Sequence, residues 1–213
     1  MKITVWNSKG GSGKSTIASC IACALASNGA SVGAIDLDTA QPNYLSFLEQ
    51  YPMDGISIMP IDDFSRRNHY TIVDAFGHIA TDELRNRTTA KLRNLVDHIA
   101  TSDVVLVPTK PDPNTIRGTR ITIDILGHYN LLDRVLLVGN EIRMNASIGR
   151  SFDLDDYQEI FKARHANTSF PSSVAFYKML MDGWVGLRSR ERKMIEEIVA
   201  DIIESAVQIK NKP

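Results

Sequence analysis

Residues 9–16 read KGGSGKST, three glycines and two lysines running into a pair of hydroxyl side chains. Gly10, Gly11 and Gly13 let successive backbone N–H groups turn toward an anion, where a β-carbon would crowd either the dihedral angles or the anion itself. Lys14 supplies a mobile positive charge for the outer phosphates of a bound chain, and Ser15 supplies a hydroxyl for Mg²⁺. Thr16 opens a helix whose positive dipole end faces the phosphates, and Ser12 completes the loop. Three aspartates end apolar runs further on: Asp36 and Asp38 in AIDLD, and Asp74 in YTIVD. Phosphoryl transfer to water needs cations around the phosphates and a carboxylate near the terminal one, so these are the parts such chemistry uses. A strand-end aspartate has a simpler competing role as a helix cap.

A phosphate cradle belongs between a strand and a helix, and the flanking sequence provides both. Residues 2–6 (KITVW) are β-prone, and the apolar positions of 15–27 have helical spacing. Further near-continuous apolar strands are predicted at 31–36, 70–74, 103–108 and 135–138. Helices are predicted at 42–50, 82–99 and 115–128, and after Asn140 at 153–163, 172–181 and 188–209. Strands apolar on both faces that alternate with helices predict an α/β fold: a mostly parallel, twisted sheet covered by helices on each side in three layers. With 213 residues the chain suits one P-loop domain over 1–213, and it shows no linker, internal repeat or low-complexity stretch.

Composition sets broad limits. Lys+Arg 24 against Asp+Glu 25 gives a formal net charge of -1, so any nucleic-acid contact must come from a local basic patch. No apolar run approaches the ~20 residues that span a bilayer, and the first strand lacks the features of a signal peptide, which predicts a cytoplasmic protein without integral membrane association. The only cysteines, Cys20 and Cys23, form a C-x-x-C inside an apolar helical stretch. They read as small core residues, because a zinc site usually takes four ligands and no further cysteine exists.

The strict phosphate-loop pattern asks for glycine where Ser8 stands, and the sequence instead matches the form K-G-G-x-G-K-[ST] with a second lysine, Lys9, at its start. With these residues the chain resembles the ParA/MinD family of deviant Walker A ATPases. AIDLDTAQPN resembles the family's second motif, IVDAFG its Walker B strand and switch, VLVPTKPDPNTIRG its strand-Pro-x-x-Pro segment, and VGNEI its Asn-bearing strand end near the base. The chain starts at the P-loop and is most similar to the small plasmid-partition ATPases, with the resemblance weakest after residue 150. It implies ATP and Mg²⁺ as cofactors and a homodimer formed on ATP binding. In that dimer Lys14 contacts the phosphates of its own subunit while Lys9 reaches the partner's phosphates, acting like an arginine finger in trans. Asp38 would position the attacking water, Asp36 would support the Mg²⁺ shell, and Asp74 would hold Mg²⁺ through water. A guanine site would use N-K-x-D; residues 140–143 read NEIR, which favours adenine with Asn140 near its edge. The chain departs from the family after Asp74, where AFG replaces the usual Pro-Pro, and in Thr39 and Ala40 before Gln41.

For partners, the densest basic stretch is RSRERK, with Arg188, Arg190, Arg192 and Lys193. In a small partition ATPase such a patch would hold DNA by its phosphates, without sequence preference and sensitively to salt; a solvated helix start partly balanced by Glu191 is the alternative. The resemblance implies a ParB-like or cargo adaptor protein that stimulates hydrolysis, and nucleoid association where DNA is bound. Two other functions stay open. A MinD-like membrane cycle would use an amphipathic C-terminal helix, but Glu196, Glu197, Asp201 and Glu204 oppose anionic lipid. A small-molecule ligase on the same scaffold would turn over ATP only with its substrate.

Overall fold

The computed structural model describes residues 1–63, 67–77, 90–142 and 161–211. Among these residues seven parallel strands form one sheet: β1 (Lys2–Val5), β2 (Val32–Asp36), β3 (Ile56–Ile58), β4 (Tyr70–Asp74), β5 (Val104–Thr109), β6 (Val135–Ile142) and β7 (Arg164–Pro171). Their spatial order is β3-β2-β4-β1-β5-β6-β7. The helices among the described residues are α1 (Lys14–Ser27), α2 (Asn43–Gln50), α3 (Ala90–Ala100), α4 (Pro113–His128), α5 (Val174–Asp182) and α6 (Ser189–Lys210).

Alternation along a strand sends successive side chains to opposite faces, and β5 shows why both faces are apolar. Val104 and Leu106 join a core with α1, α2, α5 and α6, whereas Val105 and Val107 join a second core with α3 and α4. The fold is therefore the three-layer α/β arrangement expected, with a sheet between two helical layers. On the first face α6 buries Ile195, Ile198, Val199 and Ile202, so most of its apolar stripe is spent on the core. Among the described residues no helix is long and apolar enough to cross a membrane.

Two strands depart from the expected pattern, and both are edges. In β3 every residue is at least partly exposed. In β7 only Ala166 and Phe170 are buried, which breaks the apolar run that marks an interior strand. The region after Asn140 is thus not wholly helical: β6 continues to Ile142 and β7 closes the sheet, with register shifts against β6. The Asp201 carboxylate ties β7 to α6, accepting from the Thr168 N–H at 2.9 Å and its hydroxyl at 3.0 Å. Residues 82–89, most of the predicted helix 153–163, and Arg143 lie outside the described residues.

The strand order is what builds the site. β1 lies at the centre between β4 and β5, so the loop leaving it toward α1 emerges over the middle of the sheet. The C-terminal ends of β2, β4 and β6 bring Asp36, Asp74 and Asn140 to the same edge, where ligands of open α/β sheets collect.

Candidate phosphate-binding site

The loop from Ser8 to Gly13 curls ahead of α1 with two left-handed glycines, Gly11 at φ 75° and Gly13 at φ 94°. Gly13 is needed for a second reason: a β-carbon there would stand 2.0 Å from Asn140 Nδ2. The Asn140 amide donates to the Ser12 carbonyl at 2.7 Å and both residues are buried. Asn140, expected at the edge of a base, therefore also pins the back of the phosphate loop.

Among the described residues no side chain caps the N-terminus of α1, so its first N–H groups point at a cleft of about 520 Å³. Gly10, Gly11, Gly13, Lys14, Ser15 and Thr16 line one side of this cleft. Asp38 and Asp74 line it as well, and Gln41, Phe47, Gln50 and Glu141 extend its walls. Lys9 is half-buried beside the cleft, with its Nζ folded onto the Gly10 carbonyl at 3.1 Å.

Lys14 is 8% exposed and its Nζ donates to the Lys9 carbonyl at 3.2 Å. Burial lowers its pKa, against the raising pull of the Asp74 and Asp38 carboxylates. Gly77 closes this corner, since a β-carbon there would meet Lys14 Nζ at 2.9 Å and Gly10 N at 3.2 Å.

The three aspartates are not equivalent. Asp36 and Asp74 are register partners on β2 and β4. Burial pushes Asp74 up to about 7, opposed chiefly by a hydrogen bond from Ser15, and among the described residues its buried Oδ1 has no hydrogen-bond partner. An orphaned carboxylate oxygen beside a hydroxyl and the phosphate loop fits Mg²⁺, which keeps several waters and takes one or two protein ligands. Both oxygens of Asp36 are already engaged: Oδ1 accepts from the Asp38 N–H at 2.9 Å, and Oδ2 from the Tyr44 and Leu45 N–H groups at 3.1 and 3.4 Å. Its pKa is raised by burial, although these three N–H groups pull it down. Asp36 thus caps the start of α2 and holds the turn that carries Asp38. Asp38 itself is half-buried, with Oδ1 accepting from the Gln41 N–H at 3.2 Å.

The sequence gives no individual notice of the polar seam behind the loop. Asn7, Ser8, Thr119 and Thr122 are buried there, and Ser8, which stands in the place of the usual glycine, donates through Oγ to the Gly118 carbonyl at 2.9 Å. The available signal was the threonines at 115, 119 and 122, polar side chains at the core spacing of a helix.

The basic stretch RSRERK falls at the start of α6, away from the cleft lining. Arg188 Nε and Nη2 reach Glu191 Oε1 at 3.0 and 2.5 Å, and Lys178 Nζ joins at 3.3 Å. Lys193 lies 3.8 Å from Glu197. Arg190 is exposed and Arg192 half-buried. Cys20 and Cys23 are buried free thiols whose pKa is raised by burial, which is core chemistry rather than redox chemistry.

A strand, a glycine loop with two lysines, a helix N-terminus and strand-end carboxylates define a P-loop ATPase of the deviant Walker A type. The model of the ATPase MipZ family matches residues 1–118, and the chain belongs to that family, within the ParA/MinD group. The fold is similar to that of Pyrococcus horikoshii MinD complexed with Mg-ADP, at 15% identity, with 100% of this chain and 99% of that one covered and a TM-score of 0.73. It is similar to the ATP complex of a Cyanothece McdA variant, at 15% identity, with 100% and 98% covered and a TM-score of 0.71. A putative plasmid partition protein of Borrelia burgdorferi bound to AMPPNP gives 15% identity, 96% and 98% coverage and a TM-score of 0.65. No curated protein sequence matches significantly.

Proposed function

We propose that this chain is a single-domain, cytoplasmic ATPase that binds Mg-ATP in the cleft above β1 and pairs with a second copy when ATP is bound, positioning DNA or another cargo. The observation that carries this reading is the pair of lysines on one loop. Lys14 is turned into the cleft toward Asp38 and Asp74, whereas Lys9 stands beside the cleft with its Nζ on the Gly10 carbonyl of its own loop. One cation suits the phosphates of its own subunit; the other suits those of a facing copy.

Within the site, the N–H groups of Gly10 to Thr16 cradle the phosphates, and Asn140 lies near the edge of the adenine. Ser15 and Asp74 would hold Mg²⁺, which would supply charge neutralisation to the bound phosphates. Asp36 supports this shell by fixing the loop between β2 and α2, and Asp38 at the cleft wall orients the attacking water. Gly77, following Asp74, faces the loop near Lys14 and offers a backbone N–H to the γ-phosphate. Hydrolysis is slow until a ParB-like or cargo adaptor protein engages, and it returns the dimer to monomers.

DNA contact is assigned to the α6 start through Arg190, Arg192 and Lys193, with Arg188 largely committed to Glu191. Fluorescence anisotropy with a random-sequence duplex tests it. ATP-loaded protein should bind at low salt, lose affinity steeply as salt rises, and weaken for Arg190→Glu. Equal binding with ADP and ATP, or none at low salt, would overturn the DNA assignment and leave the ATPase reading in place.

A further inference from the structure

Helix α4 runs directly behind the phosphate loop, and the two are joined by a continuous set of hydrogen bonds, buried except at the Lys9 N–H, which is partly buried. Asn7 Nδ2 donates to the Pro108 carbonyl at 2.7 Å and to Thr119 Oγ1 at 3.0 Å, leaving Oδ1 to accept the Lys9 N–H at 2.9 Å. The Ser8 N–H donates to Thr122 Oγ1 at 2.8 Å, and Thr122 Oγ1 donates to the Gly118 carbonyl at 2.9 Å. Asn7, Thr119 and Thr122 are each 0% exposed. Water cannot replace a lost partner in such a seam, so each bond fixes the loop more firmly than a surface bond would.

At the centre of the seam lies Gly118, a buried glycine inside a sixteen-residue helix. Glycine there costs about 1 kcal/mol of helix stability relative to alanine. Its backbone does not require it, because its φ is not among the positive ones. Its neighbours do: a β-carbon would stand 2.4 Å from Lys9 Cβ, 3.3 Å from Lys9 Cα and 3.2 Å from Asn7 Oδ1. The absent side chain is the seat of Lys9.

We propose that Gly118, together with Asn7 and Thr122, is a positioning element for Lys9: α4 sets where the loop's first lysine leaves the subunit and so whether it reaches the phosphates of a second copy. This rests on the trans role given to Lys9 above. It separates two properties of one loop. Nucleotide affinity within a subunit depends on Gly10 to Thr16 and Lys14, whereas pairing depends on the Gly118 seat. Ordinary contact begins at 3.4 Å, so an alanine at 118 must displace Lys9 Cβ by about 1 Å. Errors of that size at a reacting group cost on the order of 100-fold.

The test compares wild type, Lys9→Ala, Gly118→Ala, Thr122→Val and Thr122→Ser in two assays: ADP affinity by titration with fluorescent ADP, and the ATP-dependent dimer fraction by size exclusion with light scattering. Thermal melting confirms folding. The expected result is that Gly118→Ala holds ADP affinity within about threefold and raises the ATP concentration needed for pairing at least tenfold, close to Lys9→Ala. Thr122→Val, which keeps shape and loses the hydroxyl, should do the same more weakly, and Thr122→Ser should recover most of the pairing. Wild-type pairing by Gly118→Ala, or a loss of ADP affinity as large as the loss of pairing, would overturn the proposal. If Lys9→Ala pairs as wild type does, or wild type does not pair at all, the trans reading of Lys9 itself fails and the seat loses its purpose.

Discussion

Replacing Asn140 by alanine tests the anchoring role the structure gives this residue. Its Nδ2 donates at 2.7 Å to the carbonyl of Ser12, and Ser12 is fully buried, so truncation leaves that carbonyl without a partner and away from water. An unsatisfied buried acceptor costs about 1–3 kcal/mol. For a chain of this size each kcal/mol shifts Tm by about 2–4 °C, so the nucleotide-free variant should melt roughly 4–8 °C lower at a mid-range cost of about 2 kcal/mol. The freed Ser12 peptide also loosens the N–H groups beside it, and ATP affinity should fall at least tenfold by calorimetric titration. Coupling to Gly13 sharpens the test, because a β-carbon at 13 would stand 2.0 Å from Asn140 Nδ2 and expel the same amide. Gly13→Ala combined with Asn140→Ala should therefore cost clearly less than the sum of the two single changes. A Tm within about 1 °C of wild type for Asn140→Ala with unchanged ATP affinity would refute the anchoring argument, as would strict additivity in the cycle.

Other perturbations follow from the same geometry. Because burial raises Asp74 from 3.8 to about 7, folding of the nucleotide-free protein takes up a proton there; stability is fullest below the ordinary value and falls as pH rises through that window. Asp74→Asn should flatten this slope in urea melts and weaken the Mg²⁺ dependence of ATP binding at least tenfold; an unchanged slope would place the shift elsewhere. Hydrogen bonds from the Arg188 side chain and N–H hold Glu191 down to about 2, so its contribution is present above its ordinary value of 4.5 and is lost as pH falls toward 2. Glu191→Gln should lower stability at neutral pH and remove that part of the acid-side decline, read by melting between pH 2 and 7. Gly77→Ala should push Lys14 Nζ and lower ATP affinity by roughly tenfold with little change in Tm, checked by fluorescent ATP titration.

Much of the architecture was legible because interior strands are apolar on both faces: Tyr70–Asp74 and the core of Val104–Thr109 announce themselves by composition. The edge strands did not, since Ile56–Ile58 is short and exposed and Arg164–Pro171 interleaves buried Ala166 and Phe170 with polar residues held by α6. Within the site, KGGSGKST names its own chemistry because glycine, lysine and hydroxyl each have few substitutes in a phosphate cradle. The division of labour among the aspartates is a matter of three dimensions. Asp36 and Asp74 look alike as strand ends, yet one has both oxygens filled by N–H groups and the other has an oxygen left over among the described residues. The Gly118 seat was hidden for the same reason, since the crossing of Lys9 over a helix more than a hundred residues later leaves no local pattern.

The central claim is that ATP, and not ADP, joins two copies of this chain through Lys9. Sedimentation velocity of the purified protein with Mg-ADP and with Mg-ATP tests it most directly, with Asp38→Ala included to slow hydrolysis and Lys9→Ala to remove the second cation. The account predicts monomers with ADP, dimers with ATP that persist longest in Asp38→Ala, and monomers in both nucleotides for Lys9→Ala. The same sedimentation coefficient with ADP and ATP in every variant would contradict it.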